Sequence, residues 1–97
     1  ITIVGDYDVD GVVSTTIMVD FFKKLNIDVN WIVPNRFKHG YGLSAKIVEQ
    51  IHQGLIITVD NGISAIEASI LCKNKNLDLI ITDHHTVGNI VPDCFAI

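Results

Sequence analysis

The 97-residue chain is poor in cysteine, proline and aromatic residues, with two cysteines, two prolines and 7% aromatic residues. Cys72 and Cys94 form no Cys-x-x-Cys pair, which argues against a zinc knuckle and favours free thiols in a reducing compartment. No apolar run approaches the roughly 20 residues that cross a bilayer, and no signal-like segment is recognisable. We therefore expect a cytoplasmic protein with no membrane contact.

Basic residues are also scarce. Seven Lys and Arg residues stand against eleven Asp and Glu residues, which gives a formal net charge of -4. This balance argues against a protein that wraps nucleic acid with a basic surface. Much of the negative charge lies in three short segments, where bound divalent cations would cancel it. The net charge therefore does not exclude a phosphate-bearing substrate.

Apolar runs that favour strands alternate with segments of helical spacing. Strands are predicted at residues 1–5, 28–33, 55–59 and 77–82, helices at 12–25, 43–53 and 63–75, and the opening of a further strand at 95–97. Such alternation predicts βαβ units, and the apolar runs suit a parallel sheet that is buried on both faces. The predicted fold is α/β, a three-layer αβα arrangement with a mostly parallel, Rossmann-like sheet that is incomplete.

Capping and packing details accompany this prediction. Gly11 or Ser14 is expected to open the first helix, Ser44 to cap the second, and Gly54 to end the second. The spacing of Phe21, Phe22 and Trp31 predicts that all three aromatic side chains pack in the core.

Three acid-rich segments each follow a predicted strand. Residues 6–11 read Asp-Tyr-Asp-Val-Asp-Gly, residues 60–62 read Asp-Asn-Gly, and residues 83–85 read Asp-His-His. Ligands of open parallel sheets bind outside the carboxyl ends of the strands, so these segments are expected to share one cleft. Five carboxylates and two imidazoles would then converge there, and so many like charges need a compensating cation.

In the first segment, Asp6, Asp8 and Asp10 would point the same way if the segment is extended, since alternate residues share a face. A calcium-binding EF-hand loop is the first alternative, but its twelfth position requires a Glu and here holds Ile17. A solvated acidic turn is the second alternative.

The other two segments supply ligands of a different kind. An Asn-Gly pair alone indicates a turn, but Asp60 ends an apolar strand, where a carboxylate without a partner is costly. Neighbouring side chains are expected to point apart, so one of His84 and His85 would bind metal and the other would meet a phosphate. Asp83 would orient an imidazole. Such oxygen-rich sites favour manganese or magnesium, and two such ions suit phosphoester hydrolysis.

The loop of residues 35–42 is the remaining candidate for binding substrate. Arg36 and Lys38 would meet phosphates, and Tyr41 would stack on a base. A solvated loop with a structural tyrosine is the alternative.

The three segments carry a family resemblance. Residues 5–11, 58–64 and 82–85 resemble the first three motifs of the DHH phosphoesterase superfamily. Together with Arg36 and the Gly-Tyr-Gly-Leu run of residues 40–43, the sequences of these motifs resemble those of the single-strand-specific exonucleases of this superfamily. The resemblance implies 5′-to-3′ degradation of single-stranded DNA, with two Mn²⁺ or Mg²⁺ ions, in recombination and repair.

The resemblance also implies roles for individual residues. Asp8, Asp10, Asp60 and His84 would ligate the two ions, and Asp60 would bridge them. His85 would contact the scissile phosphate, and Asp6 would support the first cluster.

The chain departs from the family pattern in two ways. Many members carry a histidine four residues before the position of Asp8, where this chain has Val4. A fourth motif with a further aspartate, a second DHH-associated domain and an OB-fold are also expected beyond residues 1–97. We therefore expect a partial DHH domain, a fragment with little activity alone.

The expected partners are single-stranded DNA, the rest of the exonuclease chain, and a single-strand-binding protein or helicase. Two alternatives stay open: a small-molecule phosphoesterase that acts on oligonucleotides, cyclic dinucleotides or pyrophosphate, and an inactive fragment.

Overall fold

Short β-branched runs form a four-stranded sheet in the computed structural model, which describes all 97 residues. The elements in chain order are β1 Thr2–Val4, α1 Val9–Lys24, β2 Asn30–Ile32, α2 Ala45–Glu49, β3 Leu55–Val59, α3 Ile66–Asn74 and β4 Asp78–Thr82. The strand order is β2-β1-β3-β4, and every pair is parallel. The predicted α/β fold with a parallel sheet is confirmed.

The helices cover both faces of the sheet, because alternate strand residues point to opposite sides. On one side, α1 packs on Ile3 and Ile57 through Met18, Val19 and Phe22. On the other side, α2 and α3 cover Val4, Ile56, Leu79 and Ile81, which belong to the larger core cluster. The predicted three-layer arrangement follows from these two cores.

Two helices begin at residues other than those predicted, and at each a carboxylate accepts a backbone N–H near the start of the helix. Helix α1 begins at Val9, three residues earlier than predicted, because Asp8 rather than Gly11 or Ser14 is its N-cap. The Asp8 carboxylate accepts the Gly11 N–H at 2.8 Å. Helix α3 begins at Ile66, three residues later than predicted, and the Ile63 N–H is donated to the Asp83 carboxylate at 3.0 Å instead.

Helix α2 is shorter than predicted. Ser44 caps it as expected, but it ends at Glu49. Gly54 is therefore not its C-cap. Gly54 has a φ of 98° and leads the chain into β3.

The aromatic core prediction is only partly correct. Phe22, on the inner face of α1, packs against the sheet. Phe21 is 53% exposed, and Trp31, on the edge strand β2, is 59% exposed. A side chain on an edge strand or on the outer face of a helix has no further layer to cover it, whatever its spacing predicts.

The remaining predictions concern residues 95–97 and the cysteines. Ala96 forms a parallel bridge with Ile80, and its carbonyl accepts the Ile81 N–H at 2.9 Å, as expected for the opening of a further strand. Cys72 and Cys94 are free thiols. None of the three helices has both the length and the apolar character needed to cross a membrane.

Candidate metal centre

The carboxyl ends of β3 and β4 meet at the edge of the sheet where the candidate residues follow. Val59 pairs with Thr82 in register, and the Asp60 N–H extends the ladder by donating to the Thr82 carbonyl at 2.9 Å. Asp60 itself has a φ of 62°, a left-handed conformation that non-glycine residues seldom adopt. This turn leaves the Asp60 carboxylate beside the His84 ring that follows β4.

Asp60 and His84 form the centre of the site. Asp60 Oδ1 lies 2.8 Å from His84 Nε2, and the Asp60 side chain is only 6% exposed. Ligand atoms of Asp60, His84 and His85 all lie within 4.8 Å of one another. Adjacent ligands of an octahedral ion with bonds of about 2.1 Å lie roughly 3 Å apart, so the spacing of Asp60 and His84 fits a shared divalent cation.

Asp83 anchors the histidine pair. Its carboxylate accepts N–H groups from Ile63 at 3.0 Å, His84 at 2.8 Å and His85 at 3.1 Å, and Oδ1 lies 2.6 Å from His85 Nδ1. Burial alone would raise the Asp83 pKa, but these hydrogen bonds outweigh it and lower the pKa from its usual value. Asp83 is therefore ionised, and it directs Nε2 of His85 towards the cleft.

The sequence suggested that the imidazoles of His84 and His85 point apart, but in the structure the two rings lie side by side. Their ring centroids are 4.5 Å apart with a tilt of 39°. The hydrogen bond to Asp83 raises the His85 pKa above its usual value, and the Asp60 and Asp8 carboxylates raise it further. Both rings thus lie at the same acidic cleft.

The three carboxylates of the first segment lie in different surroundings, and the extended conformation on which the predicted shared face depended does not reach Asp10. Asp6 is fully buried at the end of β1, Asp8 caps α1, and Asp10 lies exposed in the first turn of that helix. Because the helix begins at residue 9, the segment is extended only as far as Asp8, and the alternation of faces ends before Asp10. Asp6 Oδ1 accepts the Tyr7 N–H at 2.8 Å, while Asp6 Oδ2 is buried without a hydrogen-bond partner.

Asn61 is a structural residue of the site that the sequence analysis missed. Its fully buried side chain donates to the carbonyls of Val4 at 3.0 Å and Val59 at 2.9 Å and accepts the Leu43 N–H at 2.9 Å. A Cβ on Gly42 would lie 2.8 Å from this side chain. Asn61 thus joins β1, β3 and the segment before α2. The Asn-Gly pair carried this signal, but it was interpreted as a turn.

The loop of residues 35–42 brings Tyr41, one of its three predicted substrate-binding residues, to the cleft. Tyr41 OH lies 3.3 Å from His85 Nε2. Arg36 lies exposed in a turn in which the Asn35 side chain accepts the Phe37 and Lys38 N–H groups, and the Arg36 side chain makes no hydrogen bond or ion pair.

A parallel sheet with carboxylate and imidazole groups at its carboxyl edge is the arrangement expected from the three motifs. A family model described as "DHH family, N-terminal domain" matches residues 1–97, and the chain belongs to this family. The chain is 46% identical over 100 residues to the single-stranded-DNA-specific exonuclease RecJ of Bacillus subtilis and 42% identical over 101 residues to that of Escherichia coli. These alignments cover the whole chain but only 13% and 18% of the respective relatives.

Solved structures give the same result. A crystal structure of exonuclease RecJ bound to manganese matches with a TM-score of 0.89 and 33% identity, over 99% of this chain and 26% of the other. The Mn²⁺ complex of RecJ from Thermus thermophilus matches with a TM-score of 0.75 and 30% identity, over 98% of this chain and 13% of the other. The chain thus spans a small part of each relative.

Proposed function

We propose that the chain supplies metal-binding and phosphate-orienting residues to a 5′-to-3′ exonuclease that degrades single-stranded DNA in recombination and repair. The observation that carries this proposal is the contact of 2.8 Å between the nearly buried Asp60 carboxylate and His84 Nε2. The relatives that match the whole chain are named as single-stranded-DNA-specific exonucleases. We expect the reaction in the cytoplasm.

The proposed ion ligands are Asp8, Asp10, Asp60 and His84, with Asp60 shared between two Mn²⁺ or Mg²⁺ ions. Such ions would activate a water molecule and stabilise the charge that develops on the phosphate and the leaving group. A mixed carboxylate and imidazole set suits manganese. The Asp8 oxygen that does not cap α1 is the one available for this role.

The remaining residues would orient the substrate. His85 Nε2 would donate to the scissile phosphate, because Asp83 occupies Nδ1 and aims the other nitrogen at the cleft. Asp6 would support the ligands from its buried position. Arg36, which is exposed, would bind phosphates of the strand. A single-strand-binding protein or a helicase is the expected class of partner.

Domain organisation is part of the proposal. Residues 1–97 would form a partial DHH domain, and an aspartate of a fourth motif together with downstream domains would complete the enzyme. Nuclease assays would therefore use a chimera in which residues 1–97 replace the matching segment of the Bacillus subtilis relative.

The experiment is a calorimetric Mn²⁺ titration of the chain with Asp60→Asn as the test variant. Asparagine tolerates the left-handed backbone of residue 60, so the variant removes the charge without adding strain. We expect a loss of affinity beyond the roughly 10–100-fold that removal of an outer-sphere partner costs. Asp28→Asn, at an exposed residue whose side chain makes no hydrogen bond or ion pair, is the matched control.

Two results would contradict the proposal. One is equal Mn²⁺ affinity for the Asp60→Asn variant and the unmodified chain. The other is a folded, metal-binding chimera that leaves single-stranded DNA intact, and hydrolysis of a dinucleotide by that chimera would favour the small-molecule alternative instead.

A further inference from the structure

The Tyr41 hydroxyl, rather than the Tyr41 ring, faces the candidate metal centre. The hydroxyl lies 3.3 Å from His85 Nε2, and the ring makes edge contacts with both Tyr7 and His85, at interplanar angles of 88° in each case. Although Tyr41 is 52% exposed as a residue, desolvation and the carboxylates of Asp6, Asp60 and Asp8 raise its pKa to about 12. The phenol therefore keeps its proton and acts as a donor.

The hydroxyl completes a chain of hydrogen bonds through the imidazole. Asp83 Oδ1 lies 2.6 Å from His85 Nδ1, so the Nδ1–H points to Asp83 and a neutral ring presents Nε2 as an acceptor. Tyr41 is placed to donate to that nitrogen. Both ring nitrogens then have partners, and the orientation of the His85 ring is fixed from two sides.

We propose that Tyr41 is a positioning residue whose hydroxyl donates to His85 Nε2 when no substrate is bound and so holds the imidazole ring in the orientation in which it meets a phosphate. The substrate half of this statement rests on the proposed function, and the hydrogen bond to His85 does not. Stacking of the Tyr41 ring on a base, which the sequence suggested, is the competing role.

The decisive variant is Tyr41→Phe, because phenylalanine keeps a stacking ring and loses only the hydroxyl. In the ¹⁵N NMR spectrum of the metal-free chain, at a pH where the imidazoles are neutral, we expect the Nε2 signal of His85 to shift. Tyr7→Phe removes the only other phenol and should leave that signal unchanged. An unshifted His85 Nε2 signal in the Tyr41→Phe variant would overturn the positioning role.

Kinetics of the chimera test whether the contact between the Tyr41 hydroxyl and His85 contributes to catalysis. We expect Tyr41→Phe to lower kcat/KM by roughly 10–100-fold, the range for an outer-sphere orienting partner, because the His85 ring of the free enzyme is no longer held in place, and we expect Mn²⁺ affinity to stay unchanged. Base stacking predicts instead that Tyr41→Phe keeps its full kcat/KM and that Tyr41→Leu raises KM. A shifted NMR signal in a folded, metal-binding but inactive chimera would refute the proposed function and keep the Tyr41–His85 contact, whereas an active chimera whose kcat/KM does not respond to Tyr41→Phe would refute the catalytic use alone.

Discussion

Asn61→Ala is expected to destabilise the chain by about 4–5 kcal/mol, although residue 61 ligates no ion in our proposal. The substitution removes three buried hydrogen bonds, to Val4, Val59 and Leu43. At a net value of about 1 kcal/mol each they account for about 3 kcal/mol, and burying the Leu43 N–H without a partner adds about 1–2 kcal/mol. A domain of this length has a stability of about 5–15 kcal/mol, so the variant would lie near the threshold of folding.

Urea unfolding followed by circular dichroism measures this loss. Asn74→Ala, at an exposed position of α3 where the side chain makes no hydrogen bond, is the control and should change the free energy of unfolding by less than about 0.5 kcal/mol. Asn61→Asp is isosteric but turns a carboxylate oxygen towards two carbonyls, so it should be at least as harmful as alanine. A loss below about 1 kcal/mol in Asn61→Ala would refute the reasoning, because it would mean that water or backbone shifts replace all three bonds.

Two further predictions concern a helix end and a titration. Lys75→Met should cost about 1 kcal/mol in urea unfolding, because Lys75 Nζ donates to the Val48 carbonyl at 2.8 Å and the Glu49 carbonyl at 3.2 Å at the end of α2; an unchanged midpoint would contradict this role. In the metal-free chain, an NMR titration should give His85 a midpoint above the usual value of about 6.5, and Asp83→Asn should lower it, because Asp83 is the main cause of the raised pKa. The stabilisation from protonated His85 is fully present below the ordinary histidine pKa and is lost as the pH rises through the raised value, whereas that from ionised Asp83 is lost as the pH falls through its lowered pKa. An Asp83→Asn midpoint equal to that of the unmodified chain would contradict the pairing.

The alternation of apolar runs was sufficient to predict the layers of the fold, because a strand that is buried on both faces has a composition that few other elements share. It was not sufficient for the helix boundaries. Helix α1 begins earlier in the chain than predicted because the Asp8 carboxylate accepts the Gly11 N–H. Helix α3 begins later because the Ile63 N–H is donated to Asp83. Both shifts depend on single polar side chains, one of them twenty residues away in sequence, and helical periodicity carries no information about such contacts.

The proximity of Asp60 and His84 could be predicted from their positions at the ends of two strands. Asp60 and His84 follow neighbouring parallel strands, and the register of β3 and β4 brings them together. The position of Asp10 was not predictable in this way, because the start of α1 at Val9 places Asp10 in the helix while Asp8 stays extended. Tyr41 reaches His85 across 44 positions of sequence, and only the folded loop shows that its hydroxyl faces the ring.

The residues that hold the site in shape differ from those proposed to bind ions. Asp83 uses both of its oxygens on backbone and imidazole groups, and Asn61 uses its whole amide on backbone groups of three segments. These bonds join protein groups only, and they lie next to the left-handed turn at Asp60 and its contact with His84. We therefore expect them to support the carboxylate–imidazole pair through the fold rather than through the proposed ions. Loss of Asn61 should for this reason weaken Mn²⁺ binding through the fold, whereas loss of the Asp60 charge weakens it directly.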